Sequence, residues 1–91
     1  MYNFQWHNSF VRAFKKVTKN NSFLKKKIVI TLELLSKDPF NPKLNTHKLH
    51  GNLNSLLSSY IDYEYRIIFS ISKEQKDTII LIDIGTHDEV Y

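Results

Sequence analysis

The sequence predicts an α+β fold: a small antiparallel β-sheet with two N-terminal α-helices packed on one face. Three observations carry this. Apolar residues recur at helical spacing in two early segments. Two prolines, Pro39 and Pro42, close the helical region. From about Leu56 onward the chain reads as strands, and the connections between them are too short for helical crossovers.

The opening "YNFQW" alternates aromatics at Tyr2, Phe4 and Trp6, which predicts a short strand. Asn8 or Ser9 is placed to cap the helix that follows. Phe10, Ala13, Phe14 and Val17 form its apolar stripe, and Arg12, Lys15, Lys16 and Lys19 lie elsewhere on the wheel. "NNS" at Asn20 to Ser22 breaks that helix and caps a second, marked by Leu24, Ile28, Leu32 and Leu35. Lys25, Lys26 and Lys27 fall near the start of this second helix, where cations oppose the macrodipole. The stretch "SKDPFNPKLNTHKLHGN" then reads as a long loop. Strands follow in "LLSSYID", "YRIIFSI" and "TIILIDI", the last two joined by the polar hairpin loop "SKEQKD".

Composition narrows the function classes. A chain of 91 residues, 42% of them hydrophobic, is expected to form one domain, residues 1–91, with a modest core. Cysteine is absent, which excludes a disulfide framework and thiolate chemistry. "MYNFQWHNSF" lacks the layout of a signal peptide, and "TIILIDI" is too short to cross a bilayer. A cytoplasmic protein is therefore expected. The formal net charge of +4 comes mostly from lysine, in "FKKVTK", "LKKK" and "KLNTHKLH". Such a balance suits a polyanion partner; the plainer account is a solvated lysine face.

Strand parity sorts the later residues. Tyr65, Ile67, Phe69 and Ile71 share one face of "YEYRIIFSI", continuously apolar and expected to pack on the helices. Glu64, Arg66, Ile68 and Ser70 share the other. A carboxylate and a guanidinium thus fall on one face, roughly 6–7 Å apart along the strand. An ion pair on a wet sheet is the simple explanation. A zinc site from His47, His50 and His87 is conceivable, but it lacks cysteine ligands and a recognised motif, so no metal is expected. His47, Glu64, Arg66, His87 and Tyr91 together offer a base, an acid, a fixed cation and an aromatic ring.

The segments "THKLHGNL", "DYEYRIIFSI" and "IGTHDEVY" resemble the RelE/ParE superfamily of type II toxin–antitoxin toxins, in particular the RelE/YafQ-like mRNA interferases. The resemblance runs over nearly the whole chain, through the order and spacing of its pieces. It implies a twisted antiparallel sheet with two helices on one face. It also implies mRNA cleavage, commonly on the ribosome, without a metal or other cofactor, and a cognate antitoxin as partner. Related members carry functional residues at the positions of His47, Glu64, Arg66, His87 and Tyr91. The sequence departs from the pattern at Asn54 to Leu57, where many relatives have glycine and tryptophan, and at Tyr60, where YafQ-like proteins have histidine.

The chemistry of these residues agrees. Metal-free RNA cleavage needs a group to take the 2′-OH proton, one to protonate the leaving oxygen, and a cation on the phosphate. Histidine suits either proton role, and arginine grips two phosphate oxygens at once. Arg66 is expected as the phosphate clamp and His87 as the general acid. Glu64 or His47 would be the base, and Tyr91 would orient the nucleotide. Lys25, Lys26, Lys27 and Lys48 are candidate RNA contacts. The C-terminal segment is expected to lie back across the sheet and complete the site. Two alternatives stand beside this reading: a non-catalytic ParE-like toxin acting on gyrase, and a decayed toxin kept as an antitoxin-binding partner.

Overall fold

A computed structural model describes residues 1–49 and 55–86. Its elements run β1 (Asn3–Trp6), α1 (Asn8–Thr18), α2 (Ser22–Lys37), a 3₁₀ turn (Pro42–Leu44), β2 (His47–Lys48), β3 (Leu57–Tyr60), β4 (Tyr65–Ile71) and β5 (Thr78–Thr86). The strands form one sheet in the order β1-β5-β4-β3-β2.

The helices follow their apolar stripes. Phe10 of α1 is buried, and Ala13, Phe14 and Val17 pack beside it. The N-cap position is His7 rather than Asn8 or Ser9, and its side chain makes no capping bond. Ser9 is drawn elsewhere: its hydroxyl donates to the Ile82 carbonyl and ties α1 to β5. Asn20, with φ 60°, takes the left-handed conformation that turns the chain between the helices. Asn21 caps α2, its side chain accepting from the Leu24 N–H at 3.1 Å. Leu24, Ile28, Thr31 and Leu35 are the buried face of α2. The helix stops at Lys37, because Pro39 forces the preceding Asp38 into an extended conformation, φ −157°.

The region read as a long loop contains, up to Leu49, a 3₁₀ turn and a short strand. Asn41 accepts from the Lys43 N–H at 2.9 Å, and Pro42 opens a single 3₁₀ turn that buries Leu44. Asn45, with φ 47°, then redirects the chain into β2, which pairs with β3.

The sheet is antiparallel except at one edge. β1 lies parallel to β5, with Asn3 opposite Thr78 and Trp6 opposite Leu81. The rest of the chain separates these two strands, so no hairpin forces them antiparallel.

The core lies between the helices and one sheet face. Ile67 and Phe69 of β4 meet Ile84 and Leu81 of β5 there, and both pairs are buried against Phe10, Leu24, Ile28 and Leu35. Burial of each such side chain stabilises by about 1.5–3 kcal/mol. Simple alternation along β5 would place Asp83 beside Ile79 and Leu81 in that core. The register instead shifts between Ile68 and Phe69, whose partners are Asp83 and Leu81, so Ile82 is an extra residue. This bulge returns Ile84 to the core and puts Asp83 on the open face, avoiding a buried carboxylate.

Candidate active site on the open sheet face

Register places the site residues. His47 of β2 pairs with Ser58, Ser58 with Ile68 of β4, and Ile68 with Asp83 of β5. These four form one row across the face turned away from the helices. In the next row Tyr60 pairs with Arg66, and Arg66 with Gly85. His47 and Arg66 therefore share a face, two strand spacings across and two residues along, roughly 12 Å between their backbones. Ser58 and Ile68 are buried and form the floor between them.

Arg66 is half-buried and folded back onto the β3–β4 turn. Its Nη1 donates to the carbonyl oxygens of Asp62 and Tyr65, the latter at 2.9 Å. Its guanidinium carbon lies 4.9 Å from the centroid of the Tyr60 ring. Nε and Nη2 make no hydrogen bond among the described residues, which leaves a planar fork able to meet a phosphate.

Asp62 organises this turn, a role the sequence reading did not give it. Its Oδ1 accepts from the Glu64 and Tyr65 N–H groups at 2.9 and 2.8 Å, and its Oδ2 accepts from Lys27 Nζ at 3.1 Å. Burial raises the Asp62 pKa. The Tyr65 N–H, the Lys27 ammonium and the Glu64 N–H outweigh that, so its carboxyl lies below the usual range. An aspartate three residues before a strand start is the signal that could have revealed it.

Glu64 is not in a strand. It sits exposed in the bend before β4, so its strand parity with Arg66 does not apply. It stays at the Arg66 end of the sheet.

His47 is held by Asn45, the residue that turns the chain toward β2. Its Nδ1 lies 2.8 Å from the Asn45 carbonyl oxygen. A carbonyl only accepts, so Nδ1 carries the proton and the lone pair of the neutral ring falls on Nε2. Beside His47, a cleft of about 830 Å³ is lined by Lys48, Phe40, Gln5, Ser70 and Ile80 among others. Lys48 is exposed at its rim.

Lys25, Lys26 and Lys27 lie on α2, in the layer opposite this face. Lys25 and Lys26 are exposed, and Lys27 is committed to Asp62 and to the Phe23 ring, 4.6 Å from its centroid. His50, His87 and Tyr91 lie outside the described residues. Among the described residues, no group of three His, Asp or Glu side chains could hold a metal ion. None of the described helices is long and apolar enough to cross a membrane.

The fold is that of known toxins. It matches YafQ from E. coli strain BL21(DE3) with a TM-score of 0.77 at 12% identity, over 100% of this chain and 99% of that one. It matches a YoeB/ParE toxin from Agrobacterium tumefaciens with a TM-score of 0.78 at 18% identity, over 96% and 99%. A third match is the E. coli DinJ–YafQ complex, with a TM-score of 0.71 at 15% identity, over 100% and 99%. A search of curated protein sequences gave no match. The sequence pattern of one family, the YafQ bacterial toxins of type II toxin–antitoxin systems, spans residues 2–91. The chain belongs to that family.

Proposed function

We propose that this toxin is an mRNA endoribonuclease that stops translation in the cytoplasm, acting on the ribosome, and that a cognate antitoxin neutralises it. Family membership supports the toxin role. The E. coli relative was solved as a complex, DinJ–YafQ, which supports an antitoxin partner. The observation that carries the nuclease reading is His47: an imidazole with Nδ1 fixed by the Asn45 carbonyl, on the same sheet face as Arg66.

The proposed reaction gives each candidate residue a role. His47 Nε2 takes the proton from the ribose 2′-OH. The oxygen attacks the adjacent phosphorus and forms a 2′,3′-cyclic phosphate. The bond from phosphorus to the 5′-oxygen breaks, and His87 returns a proton to the leaving oxygen. Arg66 meets the charge that builds on the phosphate oxygens. Tyr91 orients the nucleotide, Lys48 contacts the RNA backbone at the cleft rim, and Glu64 at the exposed bend supports the Arg66 end of the site. The residues provide the acid, base and cation themselves, so no metal is needed.

Incubation with translated mRNA, with and without ribosomes, tests this. Cleavage leaving a 2′,3′-cyclic phosphate and a 5′-hydroxyl is the expected result. A 3′-hydroxyl and 5′-phosphate at the cut would overturn the 2′-OH mechanism. Inhibition of DNA supercoiling without RNA cleavage would select a gyrase-directed toxin.

A further inference from the structure

The open sheet face continues beyond His47. Arg66, Ile68 and Ser70 follow one another on that face of β4, and Ile68 lies in the row of His47. The next row lies two residues, or roughly 6–7 Å, further from Arg66. It runs from Ser70 to Ile80 of β5 and on to Gln5 of β1. The cleft of about 830 Å³ opens over this row: His47, Gln5, Ser70 and Ile80 all line it, and Arg66 does not. It therefore starts at the proposed base and extends away from the phosphate clamp.

Two fixed turns add to its lining. Phe40 is 59% exposed, yet its backbone is held. The Asn41 N–H donates to the Asp38 carbonyl at 3.0 Å, and the Thr46 hydroxyl donates to the Pro39 carbonyl at 2.6 Å. An exposed ring on a fixed turn loses little freedom when something stacks on it. The second turn is the β4–β5 hairpin loop. Its Ser72 N–H donates to the Thr78 carbonyl at 2.9 Å, and the Ser72 hydroxyl accepts from the Glu74 and Gln75 N–H groups at 3.2 and 2.9 Å. This loop brings Lys73 to the cleft, where Lys48 also lies; Glu74 is the single carboxylate among the described lining residues. No ion pair among the described residues engages either lysine.

We propose that this cleft is the subsite for the nucleotide on the 5′ side of the cut, with its base stacked on Phe40, its base edge read by the Gln5 amide, and its phosphate met by Lys48 and Lys73. The inference rests on the nuclease reading above and states which part of the RNA lies where. The 2′-OH that His47 activates belongs to the nucleotide on the 5′ side, and the leaving oxygen to the one on the 3′ side. RNA with its scissile phosphate on Arg66 and its 2′-OH at His47 carries the 5′ nucleotide onward into the cleft. An unpaired base takes an aromatic face and a group that both donates and accepts, and its phosphate takes cations. Phe40, Gln5 and the two lysines supply all three. Sequence preference is then set by the base before the cut, not by the clamp.

The test compares single-turnover cleavage of a ribosome-bound mRNA that carries either a normal base or an abasic site on the 5′ side of its mapped cut. Wild type should cut the abasic RNA about 5–100-fold more slowly, the range expected for one stacked base. Phe40→Ala should lose as much on the normal RNA and little more on the abasic one, because ring and base form one contact. Phe40→Leu keeps most of the bulk but has no π face, so it should lose nearly as much. Phe40 is exposed, so neither change empties the core. Gln5→Ala should narrow the difference in rate between RNAs that differ in that base alone. Lys73→Ala should make RNA binding less sensitive to salt. If Phe40→Ala cuts both RNAs at wild-type rates, or loses equally on both, the inference is overturned and the nuclease stands. Loss of antitoxin binding in Phe40→Ala with cleavage intact also overturns it, and assigns the cleft to a protein. A wild type that cuts no RNA overturns the nuclease reading, and the fluorescence of a 2-aminopurine-labelled single-stranded RNA then decides the cleft. Quenching by wild type but not by Phe40→Ala keeps an RNA site there without the enzyme; no quenching discards both.

Discussion

Lys27 Nζ lies 3.1 Å from Asp62 Oδ2, and this ion pair joins α2 to the turn that carries Arg66. The Asp62 carboxylate also holds two backbone N–H groups of that turn. Asp62→Ala should therefore cost about 1–3 kcal/mol, since it removes charge-assisted hydrogen bonds from the Glu64 and Tyr65 N–H groups and from Lys27. For a domain of this size each kcal/mol is worth roughly 4–8 °C in Tm. Thermal unfolding checks this.

The same carboxylate gives stability a pH dependence. The folded pKa of Asp62 is lowered by its N–H and Lys27 partners. Its contribution is then fully present above the unfolded value, about 3.9. It is lost as pH falls through the lower, folded value. Asp62→Asn keeps an acceptor for the turn but loses the charge. Urea unfolding of wild type and Asp62→Asn should diverge above pH 4 and converge in stronger acid. Parallel curves across that window would show that the ion pair contributes nothing.

Arg66 makes a separate prediction. Its guanidinium rests on Tyr60 and on two carbonyls, with Nε and Nη2 turned to no described partner. Arg66→Ala should lower mRNA cleavage about 10²–10³-fold, the size of losing one oxyanion donor. Arg66→Lys should restore little, because a lysine lacks the planar fork. Tyr60→Phe should stay near wild type, since the ring face is kept. Tyr60→Leu should lose several-fold, in line with about 0.5–1 kcal/mol for an exposed cation–π contact. Single-turnover cleavage of a defined mRNA measures all four.

Much of the architecture was legible because it is local. The stripes Phe10–Val17 and Leu24–Leu35 predict the helices, and the alternation in β4 puts Ile67 and Phe69 in the core. What was not legible depends on partners distant in sequence. The parallel pairing of β1 is set by β5, more than seventy residues away. The bulge at Ile82 is set by the need to keep Asp83 out of the core. Arg66 could be assigned a face by parity alone. His47 could not, because its face follows from a two-residue strand whose register is fixed by Ser58 and Leu57. Glu64 was read as part of the strand because its polar side chain fits the alternation. The Asp62 turn starts the strand one residue later.

The last prediction separates the two candidate bases. His47 sits on the open face with Nδ1 donating to the Asn45 carbonyl, and Glu64 lies in the exposed bend. If His47 is the base, His47→Gln should slow cleavage about 10²–10⁴-fold, the usual cost of losing a proton-transfer group. Glu64→Gln should cost much less, because it alters a charge near Arg66 but removes no proton acceptor from the reaction. His87→Gln should match His47→Gln in size, since it removes the proposed acid. The pH profile adds a readout that damage to the fold would not move. The acid limb reports the base, so it should disappear in His47→Gln and persist in Glu64→Gln. A loss of that limb in Glu64→Gln, with His47→Gln keeping near-normal cleavage, would transfer the base role to the carboxylate. Neither His47 nor Glu64 belongs to the buried core, so Tm should change little in either variant and the kinetic differences can be read directly.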